Sequence, residues 1–283
     1  MHRNAVSIGF LSLLLGIAGF VLAAPSVANE RPAATASATV RQTTTSTRKI
    51  IVPSVRKKRR IALIAAAIPL PKPAPVPTIH PAVDQPTITD AHKKLMTQTL
   101  NALPAGCRDN LKNFSILYKG ATRRGLGGKT TIILDGSVPD GELVALLVHE
   151  CGHVINGNMI GTAASGDSGY RDGNEVYYND SPAVAFWSIA WTATDKKKAG
   201  LKSTDFVSGY APSDKHEMFA EALAAYVTQP DMMIAQARDS AAVATQLAWM
   251  EAHFPDAKGA VGKGSATWTG TVPWDITKLA FDL

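Results

Sequence analysis

Cysteine is scarce in this chain. Two occur in 283 residues, Cys107 and Cys151, too few for the disulfide framework of a small secreted scaffold. They can pair with each other in an oxidising compartment, or Cys151 can serve as a small buried apolar side chain; residue order alone does not choose between these. Acid is nearly missing from the first third, where residues 1–88 hold 11 Lys and Arg against two acids, Glu30 and Asp84. Residues 89–283 hold 18 Lys and Arg against 21 acids, so the formal charge of +6 belongs to the N-terminal segment. The rest of the chain lacks a basic face, and we expect no nucleic-acid binding by it. There is no internal repeat.

The N-terminus carries an export pattern. His2 and Arg3 precede an apolar run from Ala5 to Ala24, and Ser26-Val27-Ala28 has the small-x-small form of a cleavage site. We read residues 1–28 as a signal peptide and expect a secreted or extracytoplasmic protein. The alternative is an uncleaved membrane tether, because the run approaches the roughly 20 residues that span a bilayer. Residues 29–87 read as a disordered linker, with an Ala, Thr and Ser tract over Ala33–Arg48, a basic run over Arg56–Arg60 and a polyproline stretch over Pro69–Pro77. Ten of the 17 prolines precede residue 88. The basic run offers a contact with an anionic envelope surface, although charge runs are usually only solvated.

The texture changes at residue 88, and we assign 88–283 to one α+β domain, mostly helical with a small sheet. Thr89 or Asp90 caps a helix that runs to about Leu103. Asn113–Tyr118 and Thr130–Leu134 read as strands joined by a flexible turn, Arg123–Gly128. Gly128-Lys129-Thr130 is not a phosphate loop, because Arg123 stands where that motif needs Gly. Pro139–Asn156 is the strongest helix, followed by a polar loop, Gly157–Asp180. That loop, with Tyr170, Tyr177 and Tyr178, is expected to border the functional cleft. Further helices are expected over Asp214–Val227 and Asp231–His253, with Trp268 and Trp274 packing back from the tail.

Chemistry concentrates on the Pro139 helix, in His149-Glu150-Cys151-Gly152-His153. Residues four apart share a helix face, so both imidazoles can converge on one metal ion. Glu150, about 100° around from His149, can reach a water at that metal and act as general base. Zinc suits these ligands. Leu143, Val144, Leu147, Val148, Cys151, Val154 and Ile155 occupy the opposite arc, so Cys151 points away from the metal. A catalytic zinc site needs a third protein ligand. The metzincin pattern is excluded, since Met159 and Asn156 stand where it requires His and Gly. Glu217 and Glu221 lie four apart on a later helix. One can bind the metal while the other orients an imidazole. Glu217 has a simpler reading too, at the third helical position of a capping box whose N-cap is Asp214.

These two segments together, His149–His153 and Tyr210-Ala211-Pro212-Ser213-Asp214-Lys215-His216-Glu217-Met218-Phe219-Ala220-Glu221-Ala222, resemble the peptidase domain of anthrax lethal factor-like metallopeptidases, with Pro-Pro endopeptidases as similar relatives. The resemblance spans roughly residues 89–255; Cys151 departs from residues common at its position. It implies a zincin-like fold, one Zn2+ held by His149, His153 and Glu217, an oxyanion-stabilising hydroxyl on Tyr210 and a supporting role for Glu221. The expected activity is zinc-dependent endopeptidase, with Glu150 as base and a peptide or protein substrate extended along Thr130–Leu134. The alternatives are a non-enzymatic envelope-binding protein that retains a zinc site, and a zinc hydrolase of a cell-wall amide. A monomer is expected.

Overall fold

The computed structural model of the chain describes residues 78–283. The expected signal peptide, the basic run and the polyproline stretch lie outside the described residues. The folded region begins earlier than residue 88, because Ala82 and Val83, assigned above to the linker, are buried in the core. His80 anchors this entry, its Nε2 lying 3.2 Å from the Arg108 carbonyl. No helix among the described residues is long and apolar enough to cross a membrane.

Thr89 caps α1 (Asp90–Ala102), its hydroxyl accepting from the His92 N–H, as Ser, Thr, Asn and Asp caps do. Pro104 then starts a short second helix, α2 (Ala105–Asn110), where the sequence suggested only a stop. A three-stranded sheet follows, built from β1 (Asn113–Leu117), β2 (Gly125–Gly127) and β3 (Thr131–Asp135) in the order β1-β3-β2. β1 and β3 are parallel, and β2 runs antiparallel to β3. Phe114, Ile116, Ile132 and Leu134 are buried, the period-two pattern of strands with one face on a core. The stretch expected to be a flexible turn is therefore the edge strand, and Thr130–Leu134, expected to receive substrate, lies in the centre with both edges occupied.

α3 (Asp140–Asn158) runs under this sheet. All seven apolar residues of its expected core arc are buried, but so are His149 and Glu150. The face assigned to chemistry is covered as well, because α5 (Lys215–Thr228) packs directly on it. Gly152 and Ala220 mark the contact: a Cβ on Gly152 would stand 2.6 Å from the Ala220 Cα, so only glycine permits this approach. α5 is buried from Met218 to Thr228, the behaviour of a helix that is apolar all round.

The expected loop Gly157–Asp180 is partly structured and holds a hairpin, β4 (Asp167–Asp172) with β5 (Glu175–Tyr178); after it come α4 (Pro182–Trp187), capped by Ser181, and a small hairpin of β6 (Trp191–Ala193) and β7 (Lys196–Lys197). Tyr170 and Tyr177 do not border the cleft. Both are buried against Trp187, at ring-centroid distances of 5.6 and 4.7 Å. The helix expected over Asp231–His253 is two, α6 (Pro230–Asp239) and α7 (Ala241–His253), because Ser240 adopts extended backbone and caps the second with its side chain. The tail closes with β8 (Lys263–Gly264) pairing with β9 (Phe281–Asp282).

Cys107 and Cys151 form a disulfide with a Cα separation of 5.2 Å. It ties α2 to the middle of α3, on the side of α3 turned away from the two histidines. The whole is a mixed α/β domain with small sheets.

Candidate metal centre

The sequence motif places two imidazoles one turn apart on α3, and α5 brings a carboxylate to them. His149 Nε2 lies 3.1 Å from Glu217 Oε2 and 3.3 Å from His153 Nε2, and His153 Nε2 lies 3.4 Å from the same carboxylate oxygen. Among the described residues, these three side chains form a group able to hold a metal ion, their ligand atoms all within 4.8 Å of one another. The close approach of Gly152 and Ala220 is what lets ligands from two helices meet.

Glu221 sets the orientation of His149. Its Oε1 lies 2.8 Å from His149 Nδ1, and a carboxylate can only accept, so the imidazole carries its proton on Nδ1. Nε2 is then left with a lone pair aimed at the Glu217 carboxylate. A lone pair facing a carboxylate at 3.1 Å is unfavourable unless positive charge lies there. Either a second proton on His149 or a cation meets the need, and the residues thus fit a metal. The electrostatics agree. Burial opposes charge on His149, but hydrogen bonds to Glu217 and Glu221 outweigh it and raise its pKa well above the usual histidine value. Burial likewise opposes ionisation of Glu217, yet its contacts with His149 and His153 hold its carboxyl well below the usual range. Each group asks for an opposite charge beside it.

Glu150 stands next to the ligand set without joining it. Burial raises its carboxyl pKa, and the neighbouring histidines pull the other way. Its carboxylate rests against the backbone of β2: a Cβ on Gly125 would overlap Glu150 Oε1, and one on Gly127 would stand 2.6 Å from Oε2 and 2.9 Å from the His153 Cβ. The two glycines were not singled out by sequence reasoning. On β2 their spacing of two puts both on one face, but the sequence of this stretch reads as a turn.

Tyr210 stacks beside His149 at a ring-centroid distance of 6.2 Å. Burial, then the charge of Glu217, pushes its phenol up to about 12, so the hydroxyl remains a donor at any ordinary pH. The tail supplies the remaining wall. Arg124 links three elements, its guanidinium bonding Glu142 at 2.7 Å, Asp275 at 2.6 Å and Thr277 at 2.8 Å. The Glu142 carboxylate is shared with Lys278 at 2.7 Å. Ile276 donates its backbone N–H to Glu221 Oε2 at 3.0 Å. Trp274 packs back onto the domain at Gly209, as expected, yet remains 73% exposed. The resulting cleft, of about 440 Å3, is lined by His149, Glu150, His153, Tyr210, Glu217 and Trp274 among others.

The structure thus brings together every candidate site residue. Asp214 caps α5 by accepting from the His216 N–H at 2.7 Å, which leaves the Glu217 side chain to the histidines rather than to a capping box. No protein-family model matches this chain, and no curated protein or solved structure matches it.

Proposed function

We propose that this chain is an exported, zinc-dependent endopeptidase of zincin-like, lethal-factor-like type. The observation that carries the reading is the division of labour in the cleft: His149, His153 and Glu217 converge at 3.1 to 3.4 Å, while Glu150 lines the same cleft outside that set. A purely structural metal site has no use for a buried carboxylate held beside its ligands. Zinc suits two imidazoles and a carboxylate, and such a set keeps a position open.

When bound, the zinc ion supplies a Lewis acid and lowers the pKa of water. The chain's own groups do the rest. Glu150 accepts a proton from the attacking water and returns it to the leaving amine. Tyr210, protonated throughout, donates its hydroxyl to the oxyanion. Glu221 holds the His149 imidazole in the tautomer that leaves Nε2 free. An extended peptide pairs with the outer edge of β2, the strand that lines the cleft, rather than with β3. Export is supported by the residue pattern of the N-terminus and by the Cys107–Cys151 disulfide, a bond that persists chiefly in oxidising compartments.

The test is a cleavage profile on diverse peptide pools. Glu150→Gln is expected to retain about one metal per chain and to lose on the order of 100- to 10,000-fold in rate. His153→Ala and Glu217→Ala are expected to lose the metal. Wild-type protein that holds metal yet cleaves no better than Glu150→Gln on every pool would overturn the proposal.

A further inference from the structure

Four large apolar side chains are exposed among the described residues, Leu117, Leu126, Trp274 and Leu283, and Trp274 is the most exposed of them. Its backbone is also tied to the segment that carries Tyr210. The Trp274 carbonyl accepts from the Tyr210 N–H at 2.8 Å, and the carbonyl before it accepts from the Gly209 N–H at 2.8 Å. Asp275, next in sequence, is fixed by Arg124, and Ile276 by Glu221. The indole itself rests on Gly209, where a Cβ would stand 2.8 Å from Cε3. Its ring centroid is 6.4 Å from that of Tyr210, whose ring lies 6.2 Å from that of His149.

An aromatic surface fixed in place and left open to water beside a reactive centre has the properties of a binding anchor. It has apolar area to lose from water and little conformational freedom left to lose. Leu126 also lines this cleft, but the glycines flanking it face Glu150, so strand alternation turns its side chain away from that carboxylate, and it is less exposed than Trp274. The charges on the rim narrow the occupant. A tryptophan face can attract a cation, but Arg123 is exposed on this cleft without an ion pair among the described residues, and Arg124 lies beside it. Asp275, the acid of this wall, is already paired with Arg124. A lysine or arginine would be repelled there.

We infer that Trp274 is a specificity-determining residue, the wall of a subsite that takes a large apolar side chain of an extended peptide next to the bond to be cleaved. This rests on the endopeptidase reading above. It is tested with a positional-scanning peptide library on metal-loaded wild type, Trp274→Ala and Trp274→Phe. Metal content and thermal midpoint are measured on each protein to show that the fold is kept. Wild type is expected to favour Phe, Leu, Trp or Met at one position flanking the cleaved bond. Trp274→Ala is expected to lose on the order of 10- to 100-fold in kcat/KM on those peptides, mainly through KM, with a smaller loss where alanine stands there. Trp274→Phe should restore most of it. If Trp274→Ala cleaves with the wild-type profile, or if wild type prefers Lys or Arg at that position, the subsite is wrong and the peptidase reading stands. If metal-loaded wild type cleaves no pool, the peptidase reading fails and the subsite fails with it.

Discussion

The Glu221 carboxylate joins two distant parts of the chain, accepting from His149 Nδ1 at 2.8 Å and from the Ile276 backbone N–H at 3.0 Å. It is fully buried, and both of its oxygens are committed. One carboxylate therefore orients a candidate metal ligand and fastens the C-terminal wall of the cleft.

Glu221→Gln, which preserves shape but weakens the acceptor, is expected to lower zinc affinity by about 10- to 100-fold. A competition titration against a chromophoric chelator measures this. An unchanged affinity would show that the His149 orientation does not depend on Glu221.

Gly125→Ala is expected to displace the Glu150 carboxylate, since the added methyl would occupy its place against β2. Metal content should stay near the wild-type value while peptide hydrolysis falls by about tenfold or more, as misplacement of a catalytic group by about 1 Å costs roughly 100-fold. Parallel loss of metal would instead indicate that the sheet itself had moved.

Removing the disulfide should cost stability. The bridge closes a loop of 44 residues, for which the chain-entropy estimate is about 4 kcal/mol. The Cys107→Ala, Cys151→Ala double variant is expected to unfold in less urea than wild type. A thiol reductant should shift wild type towards the variant and leave the variant unmoved. Metal uptake should survive, because Cys151 lies on the side of α3 away from the ligands.

Asp180 organises the segment that follows α3, accepting from the Thr162 N–H at 2.8 Å and from the Thr162 and Ser165 hydroxyls at 2.6 Å. The Ser165 bond, then those from Thr162, bring its carboxyl down to about 2 from an ordinary value of 3.8. The unfolded chain thus binds the proton first as pH falls, so the stabilisation is full above about pH 4 and lost towards pH 2. Thermal midpoints should favour wild type over Asp180→Asn at pH 6 and converge near pH 2. A gap that stays constant over this range would contradict the assignment.

The two helices that carry the metal group were legible from sequence because their evidence is local. The 149–153 motif spans one turn, and the apolar arc of α3 is buried as its periodicity indicates, although the opposite face is covered as well. The Glu217 and Glu221 pair was legible as a pair, but the division of roles between them came from a resemblance; in the structure they meet opposite nitrogens of His149, Glu217 at Nε2 and Glu221 at Nδ1. β2 was misread because glycine is depleted from strands, and nothing near Gly125 signals that Glu150 will lie against it. The tail was illegible for a similar reason. Arg124 and Asp275 are 151 positions apart, and no periodicity links residues at that distance. Trp274 was expected to pack back onto the domain and does so at Gly209, but its 73% exposure was not legible. What holds it outside is a set of backbone hydrogen bonds that its sequence neighbourhood does not announce.

The five residues from His149 to His153 leave no position idle. The histidines meet Glu217, Glu150 leans on the glycines of β2, Cys151 is bonded to Cys107 and Gly152 touches Ala220. The segment is consequently not a portable cassette. Grafted onto the helix of another scaffold, it would deliver two imidazoles and a carboxylate, together with an unpaired thiol and a glycine costing about 1 kcal/mol of helix stability for no return. A transplant that works would have to bring a glycine edge strand, a second cysteine helix and a small-residue face on the opposing helix, which amounts to most of this domain.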